Sequence, residues 1–174
     1  VRGSTMPVVT NVYGSRPRLA QMIGAEEGGF CARWQHMTTS HAPERDPVGA
    51  LRATEVPLRA TNLSSLPRIT YFEKDAGPYI TAGLYLAKDP ETGVPNLSFH
   101  RAMMVSDTEL RVRLGRTHDL TAYHAKAEAR GEALECAILL GAPPPFSLAA
   151  AAPLAPWWAS SAAIRSSSPT KRMR

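Results

Sequence analysis

Residues 79–114 contain three β-type segments whose connections are too short for anything but antiparallel pairing. Residues 79–87 are rich in aromatic and β-branched side chains, residues 96–105 are predicted as the returning strand, and residues 109–114 alternate between polar and apolar types. The first two are joined by an Asp-Pro pair and a Thr-Gly pair, which are typical of a hairpin connection. A parallel pair needs a crossover of about a dozen residues or more. The spacing therefore predicts an antiparallel sheet.

The flanking segments complete an α+β pattern. Residues 66–72 alternate like one more strand, and residues 120–131 are rich in alanine and charge like a helix that ends at Gly131. Residues 135–140 form an apolar strand before a proline run. We therefore predict an α+β domain whose sheet is partly closed into a barrel, with flanking helices.

The N-terminal part gives a weaker signal. Ser15 is placed to cap a helix that Gly24 ends, and Pro17 suits its first turn. Residues 25–50 are polar and are interrupted by Gly and Pro, so they are predicted as loop with room for one helical turn.

Charge argues against a nucleic-acid partner. The 20 lysines and arginines exceed the 15 acids by five, but residues 157–174 hold four of these bases and no acid. The remainder has 16 basic and 15 acidic residues, so it offers no basic patch of the kind that binds nucleic acid. Residues 157–174 are predicted as a separate, disordered basic tail or as out-of-frame sequence.

Two further features bear on the cellular setting. Cys31 and Cys136 match no metal or redox spacing and are predicted as buried free thiols in a reducing cytoplasm. No secretory signal and no apolar run of transmembrane length are visible in the sequence. A cytoplasmic protein is the resulting expectation.

The candidate site lies on the second strand and after the third. Alternation places Asn96, Ser98 and His100 on one face and Arg101 on the other. An amide oxygen and an imidazole such as that of His118 are acceptable ligands for a divalent cation. An arginine supplies planar donors to a carboxylate or phosphate. By pattern alone, the same residues also fit a solvated surface.

The chain resembles the UbiD family of decarboxylases. The resemblance rests on the stretch DAGPYITAGLYLAKDPETGVPNLSFHRAMMV, on a lone histidine before a helix, and on ECAILLGAPPP followed by SLAAAAPLAP. The N-terminal PVVTNVYGSRPRLAQMIG also resembles a family segment, and the similarity covers residues 7–156 with low information between 25 and 60.

The resemblance implies a role for each matching residue. Asn96 and His118 match ligands of a divalent metal, usually Mn²⁺, that bridges to the phosphate of prenylated FMN, with K⁺ as a second candidate ion. Arg101 matches the catalytic arginine near the substrate carboxylate. The implied cofactor contacts are Ser98, Phe99, His100, Arg101, Leu114, Gly115, Arg116 and Thr117.

The resemblance also implies a fold and a reaction. Residues 1–156 would form part of a flavin-reductase-like split β-barrel that binds prenylated FMN. The reaction would be reversible, non-oxidative decarboxylation of an aromatic or α,β-unsaturated acid, with ubiquinone biosynthesis as one setting. A prenyl-FMN synthase would supply the cofactor, and the full-length family is homo-oligomeric.

The chain also departs from the family pattern. No Asp or Glu follows Glu135, so the family's third metal ligand, a glutamate, and the acidic partners of Arg101 have no counterpart here. We therefore expect a fragment that is inactive alone. A non-catalytic flavin-binding module and an inert truncated gene product are the alternatives.

Overall fold

The computed structural model describes residues 1, 4–39 and 62–152. The chain divides into two compact units. The described residues of the first unit are 1, 4–8 and 62–142, and those of the second are 9–39 and 143–152. Residues 157–174, predicted as a tail, lie outside the described part.

A long antiparallel hairpin forms the centre of the first unit. Strand β1 (Tyr79–Lys88) pairs with strand β2 (Pro95–Met104), as the spacing predicted. Gly93 adopts a φ of 74° in the connection, a left-handed conformation that glycine enters without steric cost. The register shifts between Ile80 and Gly83, so β1 carries an irregularity of the bulge type.

Two short strands complete the sheet. Strand β3 (Leu110–Val112) pairs with β2, and strand β4 (Cys136–Leu139) pairs with β1. The strand order is β3-β2-β1-β4, with every pair antiparallel. Among the described residues, these strands form an open four-stranded sheet. The expected partial barrel is therefore not closed within this part of the chain, because β3 and β4 are edge strands that do not pair with each other.

One helix covers one face of the sheet. Helix α3 (Asp119–Ala129) matches the predicted helix, and Gly131 follows it with a φ of 69°. The core between helix and sheet is apolar, and its most buried large side chains are Tyr85 and Leu120. Its remaining members are Ala87, Ala102, Tyr123, Ala127, Leu134 and Cys136. Burial of this apolar surface is the main force that holds α3 on the sheet.

The described residues of the second unit form three helices: α1 (Arg16–Met22), α2 (Phe30–Thr39) and α4 (Pro144–Ala151). Ser15 caps α1 as predicted, since its hydroxyl accepts a hydrogen bond from the Arg18 N–H. The loop prediction for residues 25–50 was wrong where α2 forms, and residues 40–50 lie outside the described part. Phe30 and Trp34 are four residues apart on one side of α2, and their rings stack with centroids 6.1 Å apart.

Two local predictions also need correction. Residues 66–72 do not form a strand. The Ile69 carbonyl accepts one hydrogen bond from the Tyr79 N–H. The pairing does not continue at the neighbouring position, because Pro78 has no N–H to donate. A short 3-10 helix (Leu63–Ser65) precedes them. Both cysteines are free, but only Cys136 is buried, whereas Cys31 is exposed.

Within the described residues, no helix combines the length and the apolar character that crossing a bilayer requires.

Candidate functional site

Asn96 lies at the start of β2 with its two amide atoms in different situations. Its Nδ2 donates a hydrogen bond to Asp119 Oδ2 at 2.8 Å. A carboxylate only accepts hydrogen bonds, so this contact fixes which amide atom faces Asp119. The Oδ1 atom is buried and has no hydrogen-bond partner. A buried carbonyl oxygen without a donor is uncommon in proteins, and a bound cation would satisfy it.

His118 immediately precedes α3, and Gly115 shapes its position. A Cβ atom added to Gly115 would lie 2.8 Å from His118 Cδ2 and 3.0 Å from Nε2. The carbonyl of Gly115 accepts hydrogen bonds from the His118 N–H at 3.1 Å and from Thr121 Oγ1 at 2.5 Å. The turn is thus held from two sides, and the missing side chain of Gly115 leaves the space that the imidazole needs.

His100 connects the strand residues with His118. Its ring lies 5.0 Å from that of His118, and its Nε2 shares a 2.9 Å hydrogen bond with Ser98 Oγ. The Tyr85 ring meets it edge-on at 5.4 Å. Burial, and next the nearby His118, lower the pKa of His100, while a hydrogen bond to the Arg113 backbone opposes them. Lowering the pKa favours the neutral ring.

The helix-facing side of β2 therefore brings several predicted residues together. Asn96 is hydrogen-bonded to Asp119, the first residue of α3, and His118 directly precedes Asp119. Both predicted metal ligands therefore lie at the N-terminus of α3. No group of three or more His, Cys, Asp or Glu side chains in the described ranges could hold a metal. That group of side-chain types does not include Asn. The pair Asn96–His118 is therefore the candidate metal site, and its role in binding a metal stays a prediction.

Other predicted contacts lie elsewhere. Alternation along β2 directs Phe99 and Arg101 to the face opposite Asn96. Leu114 packs against the core, while Arg116 and Thr117 are exposed in the turn before His118. The predicted cofactor residues are thus divided between the two faces of the sheet.

A cleft of about 640 Å³ lies on the face that carries Arg101. Strand residues Tyr79 and Met103, which are cross-strand partners, contribute to its lining. Tyr71 and Thr81 line it too and share a hydrogen bond of 3.0 Å between their hydroxyl groups. The remaining lining residues are Phe72, Asp75, Arg111, Val112 and Arg113. The volume is within the usual range of about 300–1,000 Å³ for small-molecule sites.

The sequence prediction missed three residues: Asp119, Arg111 on β3 and Arg113 directly after it. Asp119 directly follows His118, and the adjacency of an acid to a candidate ligand was a signal that could have found it. Arg111 lies on β3 and Arg113 directly follows it, on either side of Val112, so continued alternation places them on the same face. That they share a cleft with Arg101 follows from the pairing of β2 with β3.

The open antiparallel sheet with helix α3 on one face and a cleft that contains Arg101 on the other defines a mixed α/β domain with a candidate ligand site. The chain belongs to the UbiD family: residues 46–165 match the family model described as UbiD, 3-octaprenyl-4-hydroxybenzoate carboxy-lyase Rift-related domain. This match spans more than half of the chain and extends into the segment predicted as a tail.

Two curated relatives of this chain share a decarboxylase name. The chain is 36% identical over 149 residues to an anhydromevalonate phosphate decarboxylase of Methanothermobacter thermautotrophicus, covering 86% of this chain and 34% of that protein. It is 34% identical over 143 residues to the protein of the same name from Methanosarcina mazei, covering 79% of this chain and 32% of that protein. The chain thus spans about a third of the length of these relatives.

Solved structures give the same family. The UbiD-class enzyme HmfF from Pelotomaculum thermopropionicum, solved in complex with FMN, is similar with a TM-score of 0.68 and 29% identity over 82% of this chain and 33% of that one. An evolved dimeric form of HmfF in complex with prFMN is similar with a TM-score of 0.67 and 30% identity, over 82% of this chain and 34% of that one.

Proposed function

We propose that this chain is the part of a UbiD-family carboxy-lyase that binds prenylated FMN and a divalent cation. The reaction proposed for the whole protein is non-oxidative decarboxylation of an aromatic or α,β-unsaturated carboxylic acid. The observation that carries the proposal is the buried, unpartnered Oδ1 of Asn96, whose amide is hydrogen-bonded to Asp119, the residue after His118, in a chain of this family.

The residues fit the cation in chemical type. The amide oxygen of Asn96 and an imidazole nitrogen of His118 would hold Mn²⁺, and Asp119 would orient the amide through its hydrogen bond. Groups that support a ligand in this way typically contribute about 10–100-fold to metal affinity. Phosphate oxygens of the flavin and further ligands would complete the coordination. K⁺ is the second candidate ion.

Arg101 would bind the carboxylate of the substrate on the cleft face. Its guanidinium is permanently charged and planar, so it can form two parallel hydrogen bonds to a carboxylate. The modified flavin, when bound, supplies the electron-accepting centre of the reaction. The contribution of this chain would be to orient the acid and to position the cofactor phosphate.

The proposal extends to the assembly. Closure of the sheet into a split barrel would require further strands to pair with the free edges of β3 and β4. Homo-oligomers and a prenyl-FMN synthase as cofactor supplier belong to the same proposal. The identity of the acid stays open.

Flavin binding tests the proposal directly. Titration of the chain with FMN, followed by quenching of flavin fluorescence, should show affinity that increases when Mn²⁺ is added. Asn96→Ala should weaken the Mn²⁺-dependent part about tenfold or more, by analogy with the loss of metal-site groups. Asn62→Ala is the matched control, because Asn62 is exposed and its side chain caps nothing.

Equal Mn²⁺ dependence in Asn96→Ala and in the unmodified chain would contradict the cation site. A parallel assay with prenylated FMN and an unsaturated acid measures release of CO₂. The chain alone is expected to release no CO₂, because no Asp or Glu follows Glu135; release well above background would refute that expectation.

A further inference from the structure

We propose that the hydroxyl oxygen of Ser98 is a further protein ligand of the divalent cation proposed for Asn96 and His118. This inference rests on the proposed function, because it takes that cation as the ligand of the site. It changes the expected role of Ser98 from a contact of the flavin to a direct contact of the metal. The protein would then offer the cation two oxygen atoms and one nitrogen atom.

Ser98 lies between two contacts that join β2 to the turn before α3. On one side of it, the Asn96 amide donates a hydrogen bond to Asp119 at 2.8 Å. On the other side, the ring of His100 lies 5.0 Å from the ring of His118. Asn96, Ser98 and His100 occupy alternate positions of one strand, so their side chains leave the same face of the sheet. Ser98 therefore faces the turn that carries His118.

The imidazole of His100 determines where the hydroxyl proton of Ser98 points. Ser98 Oγ lies 2.9 Å from His100 Nε2, and His100 is buried. Burial, and next the nearby His118, lower the pKa of His100 and favour its neutral ring, whereas a hydrogen bond to the Arg113 backbone raises it, as donation from the ring to a carbonyl does.

This hydrogen-bond pattern leaves the Ser98 oxygen as an acceptor. A neutral imidazole has one N–H and one acceptor nitrogen. With Nε2 at Ser98, Nδ1 is the nitrogen left to donate to the Arg113 carbonyl, so Nε2 accepts the proton of the Ser98 hydroxyl. Ser98 Oγ then has only lone pairs to offer to a further partner.

The helix-facing side of β2 thus presents two oxygen atoms that can only accept. The Oδ1 atom of Asn96 is buried without a donor. Its cross-strand neighbour, Ala87, is small and has no polar side-chain atom with which to supply one. Hard divalent cations prefer oxygen ligands, and a neutral Ser or Thr hydroxyl binds Mg²⁺ in P-loop proteins. One cation would satisfy the Asn96 and Ser98 oxygens together.

Titration with Mn²⁺ in the presence of FMN, monitored by electron paramagnetic resonance, tests the inference. Ser98→Ala should lower the affinity for Mn²⁺ about tenfold or more, since loss of a supporting group alone typically costs that much. Ser98→Cys keeps nearly the same volume and carries the test if Ser98→Ala is unstable. It should raise the preference for Zn²⁺ over Mn²⁺ about tenfold or more, because thiolates favour Zn²⁺ and oxygen ligands favour Mn²⁺.

Ser64→Cys is the matched control, because Ser64 is exposed in the short 3-10 helix. Its preference between the two metals should equal that of the unmodified chain. All variants are compared in a Cys31→Ser background, since Cys31 is an exposed free thiol that could bind Zn²⁺ itself. A change of metal preference that is specific to Ser98→Cys identifies a ligand, because a purely structural role would not produce it.

The remaining outcomes separate this inference from the proposed function. If Ser98→Cys leaves the metal preference unchanged while Asn96→Ala still weakens Mn²⁺ binding, the inference is wrong and the proposed cation site stands. If Ser98→Ala weakens FMN binding equally with and without Mn²⁺, the hydroxyl contacts the cofactor, and the inference is again wrong. If the unmodified chain binds no Mn²⁺ with FMN present, both the inference and the proposed cation site fail.

Discussion

At the scale of single residues, Asn96 shows how one side chain can be both anchored and available. Its amide nitrogen donates a hydrogen bond of 2.8 Å to the Asp119 carboxylate, and this bond holds the amide plane in place. Its amide oxygen is buried without a donor. Leaving a buried acceptor unpaired costs roughly 1–3 kcal/mol, so a ligand that pairs with it recovers free energy that the folded chain alone lacks.

Gly115→Ala tests whether the His118 ring needs the space beside it. The new methyl group would lie 2.8 Å from His118 Cδ2, so the ring must move. We expect the affinity for Mn²⁺ in the presence of FMN to fall about tenfold or more, as expected for a displaced ligand. Titration of Mn²⁺ monitored by electron paramagnetic resonance measures it.

Gly77→Ala is the control for that substitution. A Cβ atom there would meet Met103 at 3.8 Å, an ordinary contact, so Mn²⁺ affinity should be unchanged. If both alanine variants bind Mn²⁺ like the unmodified chain, the ring position does not matter for the cation.

At the scale of elements, one lysine joins α3 to the β1–β2 hairpin. Lys126 Nζ contacts Asp89 Oδ2 and Glu91 Oε2, each at 2.8 Å. The hydrogen bond from Lys126 and one from the Glu91 backbone hold the pKa of Asp89 at about 2. Arg130 adds a hydrogen bond to the Pro90 carbonyl. These polar contacts fix the C-terminal half of α3, while its first turn carries the candidate site.

Asp89→Asn should lower the melting temperature near neutral pH, because it removes the charge that pairs with Lys126. A depressed pKa gives stability that is present above the ordinary value of 3.8 and is lost as pH falls through about 2. The difference in melting temperature between the two proteins should therefore be steady from pH 5 to 9 and shrink toward pH 2. Thermal melts followed by circular dichroism measure it.

Glu91→Gln is the matched comparison, since Glu91 meets the same lysine from a side chain that is 57% exposed. Exposed pairs contribute little, so its melting temperature should fall less than that of Asp89→Asn. A larger effect for Glu91→Gln would show that the buried carboxylate is not the main anchor.

At the scale of the whole molecule, the core contains two groups that resist ionisation. Burial raises the pKa of Tyr85 to about 12, with Cys136 adding to the effect, and burial raises the pKa of Cys136 to about 11. Both groups are neutral when protonated, and the unfolded chain loses these protons at lower pH. Their contribution to stability is therefore complete below pH 9 and is lost as pH rises through 11 and 12.

Tyr85→Phe should flatten the loss of stability between pH 10 and 12. At pH 7 its melting temperature should equal or exceed that of the unmodified chain, because the buried Tyr85 hydroxyl has no partner. Melting temperatures across this pH series provide the measurement. Tyr71→Phe, which removes an exposed hydroxyl that contacts Thr81, serves as the control. A marked destabilisation of Tyr85→Phe at pH 7 would indicate that the hydroxyl has a partner.

Local sequence signals were sufficient for the hairpin, β3, β4 and α3. Alternation, turn pairs and a terminal glycine specify short-range structure, and β1, β2 and α3 lie within one or two residues of their predicted bounds. Helix α2 was missed because residues 25–50 show no clear apolar period and are interrupted by Gly and Pro. Residues 66–72 alternate like a strand but lack the pairing that would make them one.

The sequence by itself determined the antiparallel pairing, the helix and the family to which the chain belongs, because these depend on residue types at short, fixed spacings. Only the tertiary structure decided that Asn96 contacts Asp119 and that Arg101 shares a cleft with Arg111 and Arg113. Such contacts join positions that are distant along the chain. They depend on the register between strands and on how a helix lies on a sheet, and no local pattern of residues encodes either of these.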